Sequence, residues 1–142
     1  MKGYMFLEKV TRADVAFEAV GKTPSELFGH AALALFEIQV DIMTVKKEVK
    51  RRVVIEADSL EDLLFDFLDE LIFLKDKDAV VFCACEVRVA ESSRWSLRAE
   101  VWGDSIDHEQ QKLRVDAKAV TMHQFSVRKE GGLYKAVVVI DI

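Results

Sequence analysis

One proline and six glycines in 142 residues leave no room for a linker, a collagen-like stretch or a low-complexity tail. No apolar run approaches the roughly 18 residues of a membrane span. The first residues mix Lys2, Glu8, Lys9, Arg12 and Asp14 among the hydrophobics, unlike a signal peptide, so the expected address is the cytoplasm and no membrane partner is expected. The two cysteines, Cys83 and Cys85, are too few for a four-ligand zinc site. As alternate residues of one strand they point the same way without disulfide geometry, and they read as small buried hydrophobes. An excess of positive charge is also missing: the net charge is −5 and the pI about 5.3, which argues against strong direct nucleic-acid binding. There is no Walker loop, Gly-rich dinucleotide fingerprint or His-Glu-x-x-His, and none of the 3 histidines has a recognisable catalytic context. No catalytic residue is assigned, and the chain reads as non-enzymatic.

What is present is a hydrophobic fraction of 51% in a chain of 16.1 kDa, enough for one domain spanning residues 1–142. Thr23-Pro24-Ser25-Glu26 offers a capping Thr, Pro at the first helical position and a Glu to close a capping box; Asp58-Ser59-Leu60-Glu61 repeats the logic. From the first start, Leu27, Phe28, Ala31, Ala32, Leu35 and Phe36 recur at helical spacing around more than half the circumference, predicting a mostly buried helix. From the second, Leu63, Leu64, Phe67, Leu68 and Leu71 form one stripe, with Asp62, Asp66 and Asp69 on a solvated acidic back. Alternating Val, Phe and Trp patterns predict strands near 4–8, 13–20, 48–57, 80–90, 95–102, 114–128 and 133–141, with a hairpin at Lys129-Glu130-Gly131-Gly132 and a long loop near 103–112. The fold class is α+β.

The chain stops on Asp141-Ile142 after the apolar run Lys135 to Ile140, so a strand end should hold a side-chain carboxylate and a terminal carboxylate in place. Asp14, opening the strand Ala13-Asp14-Val15, reads most simply as a turn cap. If that strand end meets the chain end, like charges about 4 Å apart cost on the order of 4 kcal/mol per pair at an effective dielectric near 20, and the group must protonate or bind a cation. Oxygen ligands without His or Cys point to Ca²⁺ or Mg²⁺. In the stretch 115–125, strict alternation puts Ala117, Ala119, Thr121, His123 and Phe125 on one face and Asp116, Lys118, Val120 and Met122 on the other. His123 then reads as a hydrogen-bonded core histidine and Lys118 as a surface ion pair with Asp116; the alternative for both is contact with a partner. The basic run Lys46, Lys47, Lys50, Arg51 and Arg52 could offset the acidic helix back, and lacks interleaved aromatics for stacking RNA bases.

Over nearly its whole length the chain resembles the archease family. The resemblance rests on Ala13-Asp14-Val15, Gly21-Lys22-Thr23 before Glu26-Leu27-Phe28, Ala31 to Phe36, Leu63-Leu64 with Phe67 to Leu71, Lys118 to Thr121 with His123, and the closing Asp141-Ile142. It implies two helices packed against layered, mainly antiparallel β-sheet. It also implies a non-enzymatic activator of the GTP-dependent tRNA-splicing RNA ligase, promoting the ligase's guanylylation and multiple turnover, with a divalent cation, Ca²⁺ or alternatively Mg²⁺, on Asp14, Asp141 and Ile142. Lys118 and His123 are then the partner-contact candidates. A general chaperone or modulator of proteins in DNA or RNA processing is the alternative. The chain departs from the family pattern at Glu8 to Ala13, where a His is missing and residues are inserted, at Met122, and in the loop Asp104 to Gln111.

Overall fold

Both helices start where a side chain can receive an otherwise unpaired N–H. In the computed structural model, which describes residues 3–7 and 13–142, Thr23 Oγ1 accepts from Glu26 N at 3.1 Å and opens helix α1, Pro24–Gln39. Ser59 Oγ accepts from Asp62 N at 3.1 Å and opens helix α2, Leu60–Asp78. The third helical residue is therefore Asp62, not Glu61; the Glu61 carboxylate instead accepts the Val127 N–H at 3.2 Å. Ala79 closes α2 in the left-handed region, with φ 51°.

The strands are β1 Tyr4–Phe6, β2 Asp14–Gly21, β3 Val49–Ala57, β4 Val80–Glu91, β5 Trp95–Ser105, β6 Ala119–Glu130 and β7 Leu133–Asp141. Among the described residues they form two wholly antiparallel sheets, ordered β1-β2-β7-β6 and β3-β5-β4. Gly131 and Gly132, with φ of 59° and 80°, supply the two positive angles of the tight turn between β6 and β7. Helix α1 packs on β2 and β4 and helix α2 on β3 and β6, so each helix bridges both sheets. Phe28 stacks on Phe67 at 6.2 Å between ring centroids and joins the helices at the centre of a core containing Phe17, Leu35, Leu97 and Ile140. Burying each of these side chains contributes about 1.5–3 kcal/mol. The fold is α+β, two helices against layered antiparallel sheet.

Three expectations need correction. Residues 114–118 are not strand: Arg114 N donates to Gln39 O at 2.8 Å and Val115 N to Ile38 O at 3.3 Å, so the segment docks on the end of α1 and β6 begins only at Ala119. The long loop begins after Ser105, because Gly103 lies inside β5, where a Cβ would stand 1.9 Å from Val81 O. The cysteines do not point the same way: the β4–β5 register shifts between Phe82 and Ala84, leaving Cys83 out of step. Cys85 Sγ faces Gly29 O of α1 at 3.6 Å, and burial pushes its thiol up to about 12. Both thiols are free. Of the altered family motif, Glu8 to Arg12 lie outside the described residues.

Candidate metal centre

Strand register carries the site. β2 pairs with β7 so that Val15 faces Ile140 and Phe17 faces Val138 on the core side, which turns the alternate residues to the opposite face of the sheet. On that face Asp14 stands directly opposite Asp141. Ile142 N donates to Ala13 O at 2.8 Å, making Ala13 and Ile142 a hydrogen-bonded pair and the adjacent Asp14 and Asp141 a non-hydrogen-bonded one. In such pairs the Cα atoms approach to about 4.5 Å and side chains come closest. The apolar run on β7 holds the geometry: Val138, Val139 and Ile140 are at most 1% exposed, whereas both aspartates keep partial contact with solvent.

On the other side of β7, Ala119 of β6 faces Asp141, and Lys118 N donates to Asp141 O at 2.8 Å. The main-chain oxygens of Ala13 and Asp141 are thus engaged, which leaves the two carboxylates and main-chain oxygen of Ile142 as the candidate ligands. One row further in, Thr121 faces Val139, and its Oγ1 is buried with no hydrogen-bond partner among the described residues. The donor set is all oxygen. Among the described residues no three His, Cys, Asp or Glu side chains gather, so a cation here needs main-chain oxygen and water to complete its shell. That chemistry fits Ca²⁺ or Mg²⁺, which accept carboxylate, carbonyl and water, and does not fit the nitrogen and sulfur preference of Zn²⁺.

Lys118 is exposed beside the aspartates, but Asp116 is not its ion partner. Asp116 pairs with Lys75, a lysine only 5% exposed that also bonds Asp76 at 2.6 Å. Burial pulls the Lys75 ammonium down, but the hydrogen bonds to Asp116 and Asp76 outweigh it and leave its pKa raised. This contact ties the segment before Lys118 to α2. Sequence reasoning missed it, because Lys75 sits at the end of an apolar helical stripe and its partner is 41 residues away.

His123 is exposed, not a core residue, and Val120 rather than Thr121 faces the core. The β6–β7 register jumps between Thr121 and Ser126, with Gln124 at φ 55°, so Met122 to Phe125 leave the ladder and the alternation fails. Phe125 turns back onto Phe65 of α2 at 5.5 Å, while Met122 is 65% exposed. His123 and Met122, on the edge strand β6, and Lys118, just before it, are all exposed.

The model of the Archease protein family matches residues 4–142. The protein archease of Methanosarcina mazei is 38% identical over 99% of this chain and 97% of that protein. The protein archease of Methanothermobacter thermautotrophicus is 36% identical, with 100% of each chain covered. The solution structure of Methanobacterium thermoautotrophicum protein 1598 superposes with a TM-score of 0.87 at 35% identity, covering 100% of both chains. The chain belongs to the Archease protein family.

Proposed function

We propose that this chain is a non-enzymatic activator of the GTP-dependent tRNA-splicing RNA ligase, acting in the cytoplasm through an acidic, cation-bearing end on the four-stranded sheet. The observation that supports this reading is the Asp14–Asp141 pair: two carboxylates opposed at the closest cross-strand position, in a chain of the archease family. Asp14, Asp141 and an oxygen of Ile142 would hold a divalent cation, Ca²⁺ or Mg²⁺. Bound there, the cation would neutralise the two like charges and fix the carboxylates at the docking end.

The chain's own groups then have distinct tasks. Lys118 N fixes the Asp141 main chain by donating to its carbonyl, and Ile142 N does the same for Ala13. The Lys118 side chain and His123, both exposed, would meet the ligase. The acidic end, seated near the ligase's nucleotide site, would favour productive placement of metal and GTP before guanylylation and so sustain repeated turnover. Among the described residues no helix is long and apolar enough to cross a membrane.

The test is multiple-turnover ligation with purified ligase, comparing wild type with Asp14→Asn and Asp141→Asn. Loss of stimulation in both is expected, and undiminished stimulation by both sinks the proposal. A general chaperone of RNA-processing proteins would act without the two acids, so the same assay separates the alternatives. Lys118→Ala and His123→Ala should weaken stimulation while keeping the effect of Ca²⁺ on melting.

A further inference from the structure

The outer face of the three-stranded sheet carries an unusual charge pattern. Register places Val54, Arg98 and Arg88 side by side in one row across β3, β5 and β4. The next row is Arg52, Glu100 and Glu86. Arg98 therefore stands directly opposite Arg88, and Glu100 directly opposite Glu86, two like-charge pairs of the kind that destabilise a sheet. Flanking them are the rows Glu56, Ser96, Ala90 on one side and Lys50, Trp102, Ala84 on the other. Arg88 and Arg98 enter no ion pair among the described residues; within the four rows the one close pair is Lys50 with Glu100 at 2.8 Å. The two central rows line a concavity of about 500 Å³, at whose edge Val54 is 64% exposed.

We infer that this face docks on the same face of a second copy of the chain, about a two-fold axis lying across the strands between the two central rows. That operation sets Arg98 over Glu100 of the second copy and Arg88 over Glu86, and each contact occurs twice because a two-fold interface is self-complementary. It also brings Lys50 over Glu56 and Trp102 over Ser96 in the flanking rows. Stacked sheets lie about 10 Å apart, a gap that Arg and Glu side chains reaching from both sides can close. Like pairs that repel within one copy become opposite pairs between two.

A second copy fits this face better than a polyanion. Glu86 and Glu100 share the concavity with the arginines, so a phosphate chain seated on Arg88 and Arg98 would also meet two carboxylates. A standard interface has about 20–30 residues a side. The four rows hold far fewer, so the dimer is weak, concentration-dependent and sensitive to salt.

Sedimentation velocity over a concentration series tests this. Wild type should dimerise in low salt and dissociate in about 1 M NaCl, where the screening length falls to about 3 Å. Arg88→Glu with Arg98→Glu, and separately Glu86→Arg with Glu100→Arg, should each be monomeric alone. Mixed in equal amounts they should form a heterodimer at least tenfold tighter than either homodimer. Each pair of substitutions moves the net charge of −5 by four units, so both chains stay negative and general attraction cannot explain pairing. Circular dichroism checks that the variants fold, and the wild-type salt series stands without them. A monomeric wild type at every low-salt concentration, or a monomeric mixture of folded variants, overturns the inference. So does a monomer whose arginine face captures oligouridylate or polyglutamate.

Discussion

Two faces of this protein set like charges opposite one another, and the fold treats them differently. On the four-stranded sheet, Asp14 faces Asp141 with Ala119 completing the row, and the row beside it is Ala16, Val139 and Thr121. A divalent cation bound there, as proposed above, would relieve the acids. On the three-stranded sheet, the Arg98–Arg88 row lies beside the Glu100–Glu86 row, and each is the complement of the other. Relief there can come from a copy of the same surface. On the solvent-exposed face of the three-stranded sheet, cross-strand repulsion is worth only about 0.2–1 kcal/mol per pair, small enough for a sound core to carry it. The neighbouring rows differ: the one beside the acid pair is uncharged, whereas the Arg and Glu rows of the three-stranded sheet complement each other.

The sharpest way to break this comparison is Gly103→Ala, which injures one sheet. Its Cβ would meet Val81 O at 1.9 Å and Phe82 Cα at 2.7 Å, both backbone-bound atoms of β4, so β4 and β5 must separate. Urea denaturation should show a loss of about 3 kcal/mol. Dimerisation should fall while the folded fraction keeps its response to Ca²⁺; loss of both responses together would show that the two faces are not independent.

Next in size is cation binding. At a concentration of a hundred times its dissociation constant, Ca²⁺ or Mg²⁺ should add about 2.7 kcal/mol and raise Tm accordingly. Asp14→Asn and Asp141→Asn should abolish this shift. Without cation, Asp141→Asn should melt at or slightly above wild type, because removing its charge relieves Asp14. A full Tm shift in both variants would refute the site.

Lys75→Met keeps the buried volume but removes the tie between α2 and Asp116. Asp116 and Asp76 are 67% and 59% exposed as side chains, so the cost should be about 1 kcal/mol. The raised pKa of Lys75 means this contribution is present below the ordinary lysine range and lost as pH rises through the folded value. Stability curves of wild type and variant should therefore converge at high pH. The variant should also blunt the Ca²⁺ response, since Lys118 N holds the Asp141 carbonyl, and leave dimerisation unchanged.

The smallest effect belongs to a third set of like charges, on α2. Burial first, then Asp62 and Asp69, hold the Asp66 carboxyl above the usual carboxylate range. A carboxyl raised on folding binds its proton more tightly in the native state, so this group costs stability above its unfolded pKa and stops doing so as pH falls. Asp66→Asn should stabilise by a few tenths of a kcal/mol near pH 7, with the gain vanishing in acid. Paired denaturation curves at the two pH values check the sign.

Local signals were legible where the chemistry is local. Thr23 announces its helix because a hydroxyl three residues before an N–H is enough to cap it, whereas the second helix starts one residue later than Asp58-Ser59-Leu60-Glu61 suggests, with Ser59 as its cap. Gly131-Gly132 announces its turn because positive φ favours glycine. The strand expected near 95–102 is there, and its alternate residues Leu97, Ala99 and Val101 are buried. Alternation failed at His123 and Val120, because four residues of β6 leave the ladder against one of β7 and no residue type marks a bulge of that size. It failed again at 114–118, whose backbone is satisfied by the end of α1 rather than by a strand. The basic run showed no aromatic neighbour in sequence, yet Trp102 lies opposite Lys50 on the same face.

By itself, the sequence determined the class of fold, the caps, most of the core and the identity of two acids worth watching, because spacing and residue type act within one element. Only the tertiary structure decided that Asp14 meets Asp141 and that Arg98 meets Arg88. Pairing register is set by the packing of whole sheets on α1 and α2, and a slip of one residue would turn every one of these side chains to the other face.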